Sequence, residues 1–438
     1  MNRSSLTREL LQFLQQSPTP FHAVSAMTSM LETAGYQRLD EAASWKLEAA
    51  TRYYVVRNDS ALIAFNTGSH DLLNGGIYLA GAHTDSPSLK IKPNPEVNKH
   101  GYVQLAVEVY GAALLNPWFD RDLSIAGRVD FRTSKGELKT ALIDLEAPVA
   151  FIPSLAIHLD RDVNKGREIN QQKELPPILL QLSGEKQFSF DELLLKTLQQ
   201  KNSDKAATEI LSHELFLYDT QAPQLVGLQE QFIAAARLDN LLSCFLACKA
   251  LIASSGEYAS VLVCNDHEEV GSASTSGAQG PFLKSVLRRL VSYTSTDADA
   301  FERVAQQSLL LSIDNAHGVH PNFSDKHDAT HRPLLNGGPV IKINANQRYA
   351  SNSQSIALFK SICNKISAPY QSFAMRSDMA CGSTIGPITA TQLGITTVDI
   401  GIASFGMHSI RELAGVEDVG ITHEVVARFF DRQPDMAA

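Results

Sequence analysis

The chain has 438 residues and a formal net charge of −9, with 47 acidic against 38 basic side chains. Its length exceeds what one hydrophobic core usually organises, so two domains, or one large domain with an insertion, are expected. The acidic balance and the lack of a basic block argue against nucleic acid as a partner. No run approaches the ~20 apolar residues that cross a bilayer, which argues against a membrane protein. The charged stretch behind Met1 lacks the apolar core of a secretion signal. Five scattered cysteines in mostly apolar surroundings fit a reduced, cytoplasmic protein. Cys244 and Cys248 stand four apart, like a metal clip, but no further Cys or His lies nearby at ligand spacing. Both read as small core residues.

Leu6 to Leu14 carries apolar positions at helical spacing. Thr19-Pro20 then supplies a capping residue and an N1 proline for a second helix, with Phe21, Val24, Met27 and Leu31 on one face and Gly35 at its end. A hairpin is expected over Arg52 to Arg57 and Ala61 to Thr67, turning at Asn58-Asp59-Ser60. The apolar run Ile77 to Ala82 reads as a strand that delivers His83 and Asp85. This is either a turn with an incidental histidine, or a metal ligand, His83, whose tautomer Asp85 fixes.

From there the texture becomes β-rich. Val103, Leu105, Val107 and Val109 alternate with Gln104, Ala106 and Glu108, the period of a half-buried strand. Ala126 to Phe131 and Glu137 to Asp144 form another hairpin, and Asp160 to Pro177 reads as an exposed loop. A helix follows, opened by the capping box Ser189-Phe190-Asp191-Glu192. His158 sits between apolar residues and by itself reads as a packed or hydrogen-bonded structural histidine. These features outline an inserted domain over residues 91–232, with residues 1–90 and 233–438 forming the catalytic domain.

Beyond the insertion, Arg237-Leu238-Asp239-Asn240 precedes an apolar helix to about Ala253, and Asp239 reads first as its cap. Val261 to Cys264 is a buried strand that runs into Glu268-Glu269. Neighbouring side chains on extended backbone point in different directions, so one glutamate can hold a metal while the other faces a substrate. Leu309 to Ile313 ends at Asp314-Asn315-Ala316-His317. Val340 to Ile343 carries Lys342, either a solvated edge lysine or a cation beside the site. Thr396 to Ile400 runs into a glycine-bearing loop, Gly401 to Gly406, that delivers His408.

Buried strands that each emit His, Asp or Glu at their C-terminal ends, with helices between most of them, imply an α/β fold. Its sheet is expected to be largely parallel and doubly wound. Ligands of such sheets bind outside the carboxyl ends of the strands, where His83, Glu268, Glu269, Asp314 and His408 would converge. No thiolate belongs to this set, so catalytic zinc, manganese or cobalt suits it better than structural zinc. If Asp239, Glu269 and Asp314 all ligate, they bring three negative charges. Two divalent ions with a hydroxide between them balance that charge, and one ion does not.

With these residues assembled, the chain resembles the aspartyl aminopeptidase family of di-zinc metallopeptidases. The motifs that carry the likeness are Gly81-Ala82-His83-Thr84-Asp85-Ser86-Pro87, Trp118-Phe119-Asp120-Arg121-Asp122-Leu123, Arg237-Leu238-Asp239-Asn240, Glu268-Glu269-Val270-Gly271-Ser272, Asp314-Asn315-Ala316-His317 and Gly406-Met407-His408-Ser409. The resemblance covers nearly the whole chain. It implies two Zn2+ per chain, with Mn2+ or Co2+ as alternatives at one site. His83, Asp239 and Asp314 would hold the first ion; Asp239, Glu269 and His408 would hold the second. It further implies Glu268 as general base, Asp85 orienting His83, and His317, Lys342 and Tyr349 lining the substrate pocket. His158 would reach the active site of a neighbouring subunit, within a homo-oligomer, a dodecamer built from dimers through the inserted domain.

The expected reaction is removal of the N-terminal residue of peptides, with Asp or Glu preferred. Two other readings share the fold: a related di-zinc carboxypeptidase or deacylase, and a non-catalytic assembly or cargo-binding shell.

Overall fold

The computed structural model describes residues 3–182, 187–201 and 206–431. They divide into two compact units. The first comprises residues 1–85, 223–407 and 412–438, and the second residues 86–222 and 408–411. These bounds differ from the expected 91–232. Strand Ser88–Lys99 already pairs with Tyr102–Tyr110 in the second unit's sheet, whereas Gln224–Val226 pairs with Phe232–Ala235 in the first.

The first unit is built on a nine-stranded mixed sheet. Its centre is parallel: Ser260–Asn265, Tyr78–His83, Leu309–Ile313 and Thr396–Gly401 lie side by side. The hairpin Arg52–Arg57 and Ala61–Asn66 joins one flank antiparallel, and Val340–Ile343 joins the other the same way. Side chains on a strand alternate between faces, and here both faces are covered. Leu262, Cys264, Ala80 and Leu311 pack with the helices Arg3–Gln15, Pro20–Thr33, Leu238–Ala253 and Val416–Phe430 on one side. Val261, Val263, Leu79 and Leu310 pack with Phe282–Thr294 and Ala300–Gln307 on the other. Strands covered twice read as unbroken apolar runs, which is why Val261 to Cys264 shows no polar alternation.

Local signals formed as their chemistry dictates. The Thr19 hydroxyl accepts from the backbone of His22 at the start of Pro20–Thr33, and Gly35 takes a left-handed φ of 83° just past its end. Cys244 and Cys248 lie in the core on the buried helix Leu238–Ala253. The stretch expected as a loop over Gly401 to Gly406 is in part a strand, Ala403–Phe405. It joins Ala316–His317 and Glu412–Gly415 in a small five-stranded sheet of the first unit. Extension there satisfies backbone groups that a buried loop would leave unpaired.

The second unit is a six-stranded antiparallel sheet whose apolar face packs on the helix Phe190–Lys201, with Phe131, Phe190 and Leu215 in its core. Val103, Leu105 and Val107 are buried there and Glu108 is exposed. Among the described residues no helix is long and apolar enough to cross a membrane.

Candidate metal centre

Strand register brings the site together. Asn265 lies opposite His83, and Ser312 opposite Gly81, so three buried strands finish at one edge. His83 is the last residue of its strand. Glu268 and Glu269 open a single 3-10 turn beyond Asn265, and His267 ahead of it holds a φ of 62°. Asp314 leaves the strand Leu309–Ile313 directly against the backbone of its neighbour. A Cβ at Gly401 would lie 2.0 Å from the Asp314 carbonyl oxygen, so only glycine fits.

Asp239 is not the helix cap expected from its position. The helix that starts at Leu238 departs from helical φ/ψ at Asp239 and Asn240, and the Asn240 side-chain amide donates to the Ile313 carbonyl at 2.8 Å. The Asp239 N–H donates to Glu412 Oε2 at 2.9 Å. Its carboxylate is thereby turned to the edge where the strands end.

There Nε2 of His83 lies 3.4 Å from Asp239 Oδ1, 3.6 Å from Asp314 Oδ1 and 3.9 Å from Glu268 Oε2. Ligand atoms of His83, Glu268 and Glu269 also lie within 4.8 Å of one another. On the opposite side of the ring, Nδ1 faces the Asp85 carbonyl oxygen at 3.0 Å and its Oδ1 at 3.4 Å. A proton held on Nδ1 by these oxygens leaves the Nε2 lone pair aimed at the carboxylates. The fully buried Asp85 also accepts the N–H groups of Glu268 and Glu269, one on each oxygen at 3.1 Å. One aspartate thus orients the imidazole and anchors the turn carrying both glutamates.

The electrostatics match a cation site. Burial, outweighing the nearby His83, pushes the Glu268 carboxyl up to about 7, with Asp314, Asp85 and Asp239 adding to the rise. Burial and Asp239 likewise raise Glu269 well above the usual carboxylate range. Burial alone would lower His83, but Glu268, Asp239, Asp314 and Asp85 together hold its imidazolium well above its ordinary value. A bound divalent ion reverses these preferences, stabilising the carboxylates and the neutral imidazole. Oxygen and imidazole donors without thiolate fit zinc in a catalytic role.

Lys342 is buried rather than solvated. Its Nζ lies 3.2 Å from Asp314 Oδ2, donates to the Asn315 carbonyl at 2.8 Å and stands 5.2 Å from the centre of the Tyr349 ring. Burial, then the Lys342 charge, pushes His317 down to about 4, so it is neutral at ordinary pH. His158 and His408 belong to the second unit. His158 is exposed on a turn among exposed Leu155, Ile157 and Leu159, not packed as its apolar neighbours suggested. His408, at φ 68°, turns Nδ1 to the Ala112 carbonyl oxygen at 3.1 Å.

Sequence reasoning missed Glu412 and Asp399. Buried Asp399 accepts the Thr384 hydroxyl and the Ala350 N–H, each at 2.6 Å, and so fixes the segment behind Tyr349. Their partners lie between 15 and 173 residues away in the chain, and no local spacing marks either residue.

Residues 13–430 match the family described as Aminopeptidase I zinc metalloprotease (M18). A "Probable M18 family aminopeptidase 2" of Azotobacter vinelandii is 56% identical over 428 residues, 98% of each chain. One from Pseudomonas aeruginosa is 55% identical with the same coverage. Among solved structures, prApe1 matches with a TM-score of 0.91 at 30% identity, covering 99% of this chain and 95% of that one. The S. cerevisiae mApe1 dodecamer matches with a TM-score of 0.87 at 28% identity, covering 99% and 98%. Across both sequence and fold, then, this chain belongs to the M18 family of zinc metallo-aminopeptidases.

Proposed function

We propose that the protein hydrolyses the first peptide bond of peptides at a two-zinc centre with Glu268 as general base, and that it prefers N-terminal Asp or Glu. The observation that carries this reading is the convergence of Asp239, Asp314 and Glu268 within 3.9 Å of one imidazole nitrogen that Asp85 orients from behind. His83, Asp239 and Asp314 would hold one ion. Asp239, Glu269 and, as the resemblance implies, His408 would hold the other, with Mn2+ or Co2+ as alternatives at one site. Zinc bound there supplies Lewis acidity, lowering the pKa of a water to about 7 and polarising the scissile carbonyl.

The protein's own part is proton handling and placement. Glu268 keeps about a sixth of its side chain exposed, 16%, so it is not sealed off from substrate and water. It takes the attacking water's proton and returns it to the leaving amine, a role typically worth ~10²–10⁴ in rate. Asp85 holds the Glu268 backbone, so the base stays beside His83. Lys342 supplies positive charge for an acidic first side chain; its partner Asp314 would be neutralised by the ion it binds. The exposed His158 turn is available to a second copy, in keeping with a dodecamer in which that residue enters a neighbouring site.

Glu268→Gln is expected to retain both metals and lose ~10²–10⁴ of kcat; normal turnover in that variant removes Glu268 from the mechanism. Elemental analysis of the purified protein should find two zinc ions per chain, and a single tightly held ion would overturn the two-metal assignment. In a dipeptide panel, Asp or Glu at the first position should outrun Leu, and N-acetylation should stop cleavage. Hydrolysis of the acetylated peptides would favour a carboxypeptidase or deacylase instead. Sedimentation should give the mass of twelve chains, with His158→Ala lowering activity at unchanged mass; a fully active monomer would sink the assembly proposal.

A further inference from the structure

We propose that the cleft next to His317 is the subsite for the second residue of the substrate, the one that leaves, and that it selects large apolar side chains. This rests on the reading above, in which the first side chain faces Lys342 and Tyr349. Neither of those residues lines the cleft.

The cleft encloses about 270 Å³. That is just below the ~300–1,000 Å³ of pockets that take a whole small-molecule ligand, and it suits one side chain. His317 joins it to the metal centre. The residue follows Asp314 by three positions, and its ring meets Phe373 edge-on, with centroids 5.5 Å apart at 67°. Phe373, Met375, Met379, Phe405 and Met407 supply its apolar walls, and His320, His327, Ser404 and Lys326 its polar ones. Phe373 and Phe405 stand on the strands Gln371–Ala374 and Ala403–Phe405, so the aromatic walls are rigid. The three methionines are unbranched and polarisable, and they can shape themselves around aliphatic, thioether or aromatic groups.

Charge adds selectivity by exclusion. Among the described residues no carboxylate lines the cleft. A basic side chain entering it would leave water without meeting an opposite charge, which is costly. Lys326 is the cation of the lining, and it is exposed, so solvent weakens its hold on an acidic group. Met379 of the lining is 41% exposed, and Phe323, outside the lining but with its ring 5.0 Å from that of the lining residue His320, is 56% exposed. Apolar surface beside a catalytic centre marks a place that substrate covers.

The test uses the zinc-loaded full chain with Asp-Ala, Asp-Leu, Asp-Met, Asp-Phe, Asp-Asp and Asp-Lys, and a matched series beginning with Leu. The expected result is kcat/KM about tenfold or more higher for Asp-Met and Asp-Phe than for Asp-Ala and Asp-Lys. Met375→Ala should shrink the Phe-to-Ala ratio at the second position several-fold. Met379→Glu should turn the preference towards Asp-Lys. Because these ratios are taken within one variant, a general loss of activity does not affect them. A wild-type enzyme indifferent to the second residue overturns the proposal, as do ratios unchanged in both variants. So does a shift in the Asp-to-Leu ratio at the first position, which would mean that the cleft reads the first side chain. If Asp shows no advantage over Leu at the first position, the acidic preference fails by itself, and the Leu series still reports on the cleft.

Discussion

Carboxylates crowd into a space from which most water has been removed, and the rest of the first unit is arranged around that electrostatic burden. Two unit charges 4 Å apart interact by about 4 kcal/mol at an effective dielectric of 20. Burial and mutual repulsion drive Glu268 and Glu269 toward the protonated form. The protein opposes this with fixed partners. Asp85 is held by two backbone N–H groups, Asp314 by the Lys342 ammonium, and the Asp239 backbone by Glu412. Such partners keep the acids in place, and the proposed zinc would supply the missing positive charge.

That arrangement is possible because the sheet, not the loops, sets the spacing. Parallel strands of matched register end together, and each residue just past an end inherits a position accurate to the ladder itself. Asp239 reaches the same edge from a helix start that gives up regular geometry to get there. Cys244 adds a quieter tie: its thiol donates to the His83 carbonyl at 3.0 Å from within the helix core. A side chain on a rigid scaffold pays little entropy when a ligand arrives, which is the use of building a metal site at strand ends.

The walls around the centre divide by chemistry. Lys342, Tyr349 and the buried Asp399 behind them form a charged, hydrogen-bonded wall. Past His317 the surface mixes methionine sulfur and aromatic carbon with histidines, a serine and Lys326, and among the described residues holds no carboxylate. A peptide presents two side chains on either side of its first bond, and the proposed reading assigns one to each wall.

Much of this was legible in the chain itself. Apolar runs leading to His83, Glu268 and Asp314 announced a layered sheet with these side chains at its carboxyl edge, because strand burial and strand termination are local properties. Cysteine placement, the Thr19 cap and the alternation at Val103 to Val109 were readable for the same reason. Position in the chain misled where a residue's role depends on something distant. Asp239 looks like a cap and His158 like a packed histidine, and for Lys342 a solvated lysine and a cation beside the site are equally open. Glu412 and Asp399 gave no sign at all. Whether a polar group is buried, and which partner from another element meets it, follows from packing and register. Those emerge only when the chain has folded, since side-chain burial is decided by what the far elements bring.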